Sequence, residues 1–201
     1  MKYMNLYRGY EKRKESIDKK IASIIKRSQF IFGEELEELE SELAKYTGAK
    51  YSVGVSSGHV GLVLSLLALG FKAGENHSNK EVIVPAMTFF STAEAPSFLG
   101  MKVVVCDIDE YFNIDVKKLE SLINKNTVAI IPVNLFGQCA NYDIILDIAK
   151  KNNLFVIEDA CQSFGASYKN IKSCSGKLGD IAVTSFFPAK PLGCFGDGGM
   201  V

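Results

Sequence analysis

From Tyr51 to the end of the chain, short runs of β-branched and apolar residues alternate with stretches of helical character, and this rhythm restricts the fold more than any other feature. YSVGVS at 51–56 reads as a strand, and HVGLVLSLLAL at 59–69 as a helix apolar on nearly every side, hence buried. EVIVPA (81–86), KVVVCD (102–107), TVAIIPV (127–133), LFVIED (154–159) and the run 180–187 read as further strands. Helical stretches fall between them at about 89–99, 116–123 and 142–151. Strands with apolar residues at nearly every position are covered on both faces, and helices between them supply the crossovers of a parallel sheet. The expectation is an α/β fold with a mostly parallel, doubly covered sheet.

Ahead of this core, Ile17, Ile21, Ile24 and Ile25 repeat at helical spacing among charges, predicting an amphipathic helix over about 13–27. EELEELESELAKYTG supplies a second helix, with glutamates at its dipole-favoured start and Gly48 just beyond its end. No repeat or low-complexity linker divides the chain. We therefore expect one domain over 1–201, with N-terminal helices at 1–50 and an α/β core at 51–201.

Lys+Arg and Asp+Glu each number 23, and this balance argues against nucleic acid or an acidic membrane surface as partner. Five scattered cysteines without a CxxC pair and only two histidines argue against a disulfide framework or a metal site. The charged N-terminus has no apolar signal core, and the longest apolar run, Val60 to Phe71, is too short to span a bilayer. A cytoplasmic protein is expected.

Ligands of open α/β sheets sit beyond the carboxyl ends of the strands. Four candidate positions fall there. Ser56-Ser57-Gly58-His59 joins a strand to a helix, where free N–H groups can hold an anion; Ser57 as a simple helix cap explains it equally well. There is no GxGxxG and no Walker lysine. Glu158-Asp159 ends the LFVI strand, as a cap or as the partner of a cationic ring nitrogen. Phe89 follows the EVIVPA strand, as core or as a ring that stacks on a flat cofactor. Last comes TSFFPAKPLGCFGDGG, where Pro188 and Pro191 keep Lys190 out of ladder pairing. Gly193, Gly196, Gly198 and Gly199 there permit positive φ or close approach. A lysine so held can act as a nucleophilic amine.

Lysine, acid, ring partner and anion cradle together suit pyridoxal 5′-phosphate (PLP). The chain resembles the DegT/StrS family of PLP-dependent sugar-nucleotide aminotransferases in its successive blocks QFIFGEELEELE, SSG, VPAMTFFSTAEA, DIDEYFNID, AIIPVNLFGQ, VIEDACQSFGA and LGDIAVTSFFPAKPLGCFGDGG. The resemblance implies Lys190 as the lysine that bonds PLP and Asp159 as the pyridinium partner. It places Gln162 by the ring hydroxyl and Phe89 on the ring, with Ser57, Gly58, His59 and Ser185 at the phosphate. It implies the three-layer large domain of a fold-type I transferase, working as a homodimer with active sites at the interface. An amino group passes from an amino acid, usually glutamate, to a nucleotide-diphosphate keto-sugar, in polysaccharide or amino-sugar biosynthesis.

His59 stands where the family usually has threonine, and Asn134 and Phe136 where histidine and tyrosine are common, which bears on the sugar pocket. Val201 falls about halfway along a typical member, so the expectation is an N-terminal half without the small C-terminal domain. Two rival readings remain: a sugar dehydratase of the same family, against which Lys190 argues because those carry histidine there, and a silent chain that binds PLP or only pairs with other subunits.

Overall fold

The computed structural model describes residues 5–201. Helices α1 (Tyr7–Glu11), α2 (Lys14–Arg27) and α3 (Glu34–Thr47) come first. On α2 the isoleucine stripe forms as expected, yet no residue of this helix is fully buried, and Ile21 and Ile25 face solvent. α3 begins with Glu34, Glu35 and Glu37 in its first turn and ends at Gly48, whose φ of +81° would strain any side chain. It is fastened to the core: the Gly54 N–H donates to Glu40 Oε1 at 2.7 Å and the Ser52 hydroxyl to the Glu40 carbonyl at 2.6 Å.

The core runs β1 (Gly54–Val55), α4 (Gly58–Ala68), β2 (Glu81–Pro85), α5 (Ser91–Phe98), β3 (Lys102–Cys106), α6 (Val116–Leu119), β4 (Thr127–Ile130), α7 (Tyr142–Asn152), β5 (Phe155–Asp159), β6 (Ser167–Tyr168), β7 (Ile171–Lys172), β8 (Ile181–Ser185) and β9 (Gly199–Met200). Seven strands form one sheet in the order β1-β9-β8-β5-β4-β2-β3. From β3 to β8 all neighbours are parallel, while β9 runs antiparallel to both β8 and β1. The sheet is thus mixed but mostly parallel, as the alternation requires.

Period-two side chains give it two cores. Val82, Val84, Ala129, Ile131, Ile157 and Val183 pack on one face with Leu62 and Leu66 of α4 and Ala95 of α5. Ile83, Ile130 and Val156 pack on the other with Tyr142, Ile145 and Ile148 of α7. As expected α4 is largely buried, although Leu64 reaches solvent.

Several boundaries move for identifiable reasons. Regular strand in the 127–133 run ends at Ile130, yet pairing continues: the Ile131 N–H donates to the Ile83 carbonyl at 2.9 Å, the Pro132 carbonyl accepts from the Asp159 N–H at 3.0 Å, and Val133 bridges Asp159 in parallel. YSVGVS keeps only Gly54 and Val55 as strand, and Val53 pairs instead with Val201 through N–H···O bonds of 2.8 and 3.0 Å. The 116–123 stretch tightens into a 3-10 turn at Glu120–Leu122. The β6–β7 hairpin was not foreseen; its turn holds Lys169 and Asn170 at φ of 45° and 69°, without the glycine that usually marks such a turn.

Gly61 sets the spacing of α4 on the sheet, because a Cβ there would lie 2.7 Å from Val183 Cγ1. Gly61→Leu should therefore lower stability by about 1–3 kcal/mol in urea unfolding. Gly9→Ala, in α1 with no atom near the new methyl, should be neutral or stabilising by up to about 1 kcal/mol. Equal midpoints for the two variants would contradict this packing account.

Candidate functional site

A cavity of about 810 Å³ opens beyond the carboxyl ends of β2, β4, β5 and β8. Ser57, Gly58, His59, Phe89, Asp159, Gln162, Ser185 and Lys190 all line it, so the structure brings these eight residues together, whereas Ser56 and Glu158 of the same candidate positions are not part of its lining.

Alternation along β5 decides what its acidic pair does. Asp159 continues the face of Ile157 and is 4% exposed, with its carboxylate in the cavity wall. Thr92 Oγ1 donates to its Oδ2 at 2.7 Å, the Cys161 N–H reaches its Oδ1 at 3.2 Å, and Thr88 Oγ1 lies 2.7 Å from Thr92 Oγ1. Among the described residues no cation pairs with Asp159. Thr88 and Thr92 were missed by sequence reasoning; their spacing of four on one face of a helix entrance was the available signal.

Glu158 continues the opposite face and is fully buried. Its Oε1 accepts from Asn134 Nδ2 at 2.9 Å and Ser173 Oγ at 2.6 Å, and both oxygens are 3.3 Å from the Cys174 N–H. Burial pushes its carboxyl pKa up, and these donors oppose the shift. Asn134, one of the two departures from the family's usual residues in PVNLFGQ, belongs to this network: it is buried, and its Oδ1 accepts from the Ala140 N–H and the Tyr142 hydroxyl. Phe136, the other departure, lines the cavity.

At the start of α4, Ser57 Oγ accepts from the Val60 N–H at 3.1 Å, so the helix-cap reading of Ser57 holds. The N–H groups of Gly58 and His59 have no acceptor among the described residues and remain available to an anion. A Cβ on Gly58 would come 2.9 Å from both Cys161 Sγ and Ser185 Cβ, and one on Gly199 would strike the Ser57 carbonyl carbon and Thr184 oxygen at 2.8 Å. Both glycines let the turn sit down on β8 and β9.

Lys190 lies half-buried on the loop between β8 and β9. The loop is closed at its base by Phe186, whose N–H donates to the Gly198 carbonyl and whose carbonyl accepts from the Cys194 N–H, each at 2.8 Å. None of the four loop glycines has positive φ. The positive-φ part of the expectation is thus corrected, and the close-approach part holds at Gly193, where a Cβ would be 2.4 Å from the Pro188 carbonyl oxygen, and at Gly199, but not at Gly196. The Lys190 amine has no ion-pair partner among the described residues. Gln162 Oε1 is taken by the Phe136 N–H at 2.9 Å, which leaves the Gln162 amide N–H groups as its donors. Cys161, also on the wall, has its thiol pKa raised well above the ordinary value by burial and then by the Asp159 charge.

An unpaired buried carboxylate, an unpaired amine and two free N–H groups on one cavity suit a ligand with a cationic ring nitrogen, a carbonyl and an anionic tail. PLP has all three, so the residues present fit it.

Among the described residues no helix is long and apolar enough to cross a membrane. Residues 11–201 match the DegT/DnrJ/EryC1/StrS aminotransferase family. UDP-2-acetamido-2-deoxy-3-oxo-D-glucuronate aminotransferase of Pseudomonas aeruginosa is 45% identical over 202 residues, which cover 100% of this chain and 54% of that protein. The crystal structure of S. venezuelae DesV superposes with a TM-score of 0.92 at 34% identity, covering 99% of this chain and 52% of the other. NtdA of Bacillus subtilis, solved with bound cofactor PMP, gives 0.89 at 33% identity, covering 100% and 44%. The chain thus spans about half the length of the relatives it matches. With the family matched over nearly all its residues, and Lys190, Asp159 and the Ser57–His59 turn on one cavity, this chain belongs to the DegT/DnrJ/EryC1/StrS aminotransferases.

Proposed function

We propose that the chain carries the cofactor-binding part of a PLP-dependent aminotransferase. It moves an amino group from an amino acid, glutamate by preference, to a nucleotide-linked keto-sugar in polysaccharide or amino-sugar biosynthesis. The observation that carries this reading is the pairing of buried, cation-free Asp159 with unpaired Lys190 on one cavity. The likeness to an aminotransferase named for a UDP-linked 3-oxo sugar favours that sugar class. Family resemblance further supports a cytoplasmic homodimer, and one domain over 1–201 with its helices preceding the cofactor-binding core.

When bound, the cofactor supplies an electron sink for negative charge at the donor's Cα. Asp159 would accept the ring N–H and favour the protonated nitrogen, while Thr92 fixes the carboxylate's orientation from α5. Gln162 would offer its amide N–H to the ring hydroxyl, because its oxygen already accepts from the Phe136 N–H. Phe89 would pack on the ring, and Gly58, His59 and Ser185 would hold the phosphate beside capped Ser57. Lys190 would hold the cofactor through its amine, and the same amine, when neutral, would serve as the base toward the donor's Cα. A dehydratase reading would need histidine at this place; Lys190 opposes it.

Adding PLP and then borohydride should fix the cofactor on the protein, with peptide mapping locating it at Lys190. Lys190→Ala should abolish that adduct and reduce transamination by about 10²–10⁴-fold. An adduct of undiminished yield in the alanine variant would sink the assignment. Asp159→Ala should keep some PLP but slow amino transfer by on the order of 10²-fold, and Thr92→Val by about tenfold, in stopped-flow half-reactions with glutamate. Unchanged rates in both would remove the acid from the site.

A further inference from the structure

Two bulky aromatic residues beside the cavity hold left-handed backbone, which such side chains rarely adopt. Phe136, in the short 3-10 turn Leu135–Gly137, has φ of 56° and ψ of 19°, and Phe112 has φ of 65°. Their rings meet edge to face with centroids 5.9 Å apart. Phe136 lines the cavity, whereas Phe112 is not part of its lining. Backbone strain of this kind persists only where the surroundings over-determine it, and beside a site it points to a task.

The task shows in where the Phe136 N–H goes. It donates to Gln162 Oε1 at 2.9 Å, from 26 positions earlier in the chain. An amide that accepts at its oxygen keeps its two N–H donors on the other branch, and those of Gln162, on the cavity wall, have no acceptor among the described residues. The left-handed turn thus decides which end of the amide a ligand meets. With the amide reversed, an acceptor would stand where donors now stand.

The turn is anchored on both sides. Asn134 before it is buried in the Glu158 network, and the Gln138 N–H after it donates to the carbonyl of buried Leu135 at 3.1 Å. Its middle is not buried: the Phe136 ring is 67% exposed, and the ring that meets it is Phe112. Phe112 itself stands at the tip of a tied hairpin. Ile108 and Ile114 bridge in antiparallel fashion, and the Asp109 N–H donates to the Asn113 carbonyl at 2.8 Å. Asp109 Oδ1 accepts from the Tyr111 and Asn113 N–H groups at 2.9 and 3.0 Å.

We propose that Phe112 and Phe136 are positioning residues for the cofactor site. The hairpin tip braces the Phe136 turn, the turn aims its N–H at Gln162, and Gln162 is thereby kept as a hydrogen-bond donor to the cofactor's ring hydroxyl oxygen. This rests on the PLP reading of the cavity and deepens it. Phe112, outside the lining, acts on the ligand only through Phe136 and Gln162.

The test uses pyridoxamine 5′-phosphate, which cannot bond Lys190, and its 3-deoxy analogue, which lacks the ring hydroxyl, each titrated calorimetrically into the protein. Wild type should prefer the hydroxyl-bearing probe by about tenfold, and Gln162→Ala should lose most of that preference. Phe112→Ala should reduce it to about threefold or less, and Phe112→Tyr, which keeps the ring, should retain it. Asp109→Ala, which unties the hairpin tip, should lower it in the same sense. A general loosening of the fold would weaken both probes alike and leave their ratio unchanged. An unchanged ratio in either Phe112→Ala or Asp109→Ala would therefore overturn the brace while leaving the cofactor reading intact. Equal binding of the two probes by wild type would overturn the Gln162 contact and the brace with it. No binding of either probe by folded wild type would overturn the cofactor reading as well.

Discussion

The end of β5 governs the molecule. A strand turns successive side chains to opposite faces, so two adjacent acids there cannot share an environment. Glu158 goes to the α7 side, where Asn134, Ser173 and the Cys174 N–H receive it. Asp159 goes to the α4–α5 side, where Thr92 meets it and the cavity begins. A register slip of one residue would exchange them, taking Asp159 from the cavity wall and removing Glu158 from its donors. The Glu158 network also holds the β4 side of the cavity. Asn134 donates to Glu158 through its side chain and to the Asp159 carbonyl through its backbone N–H at 3.0 Å, tying the floor of the site to the carboxylate above it.

Around that point the site is made by close approach. Gly58, Gly193 and Gly199 stand where an added methyl carbon would come within 2.9 Å of another atom. Each lets one segment settle on another: the α4 turn on β8, the lysine loop on its own base, and β9 under the turn. The same economy of space pushes up the thiol pKa values nearby. Burial and the Glu158 charge raise Cys174 to about 12, and burial and the Asp159 charge raise Cys161. Thiols so placed stay protonated and act as packing groups.

Much of this could be read from residue order. The alternation of strands and helices revealed the sheet, and strand-end positions revealed Asp159, Lys190 and the Ser57–His59 turn, because in a parallel sheet carboxyl ends converge. The roles that depend on three-dimensional neighbours could not be read so. Asn134 sits in a block resembling a sugar-pocket motif, yet its direction is set by Glu158, Tyr142 and Ser173 from three other parts of the chain. Thr92 looks like any small helical residue until Asp159, 67 positions away, is placed beside it. Lys169 and Asn170 make a left-handed turn without glycine, so their hairpin left no signal strong enough to see.

The pairing of β1 with β9 carries a further meaning. Gly54 faces Met200 and Val53 exchanges hydrogen bonds with Val201, so the first strand is completed by the last residues of the chain. Every parallel strand lies between them in sequence. Bringing such distant partners together has the largest loop-closure cost in the sheet, and contacts of that kind come late in folding. The Ser57–Gly58 turn grows directly from β1 and rests on Gly199. The turn that opens α4 therefore gains its packing only once β9 has found β1 and β8 across the intervening parallel strands.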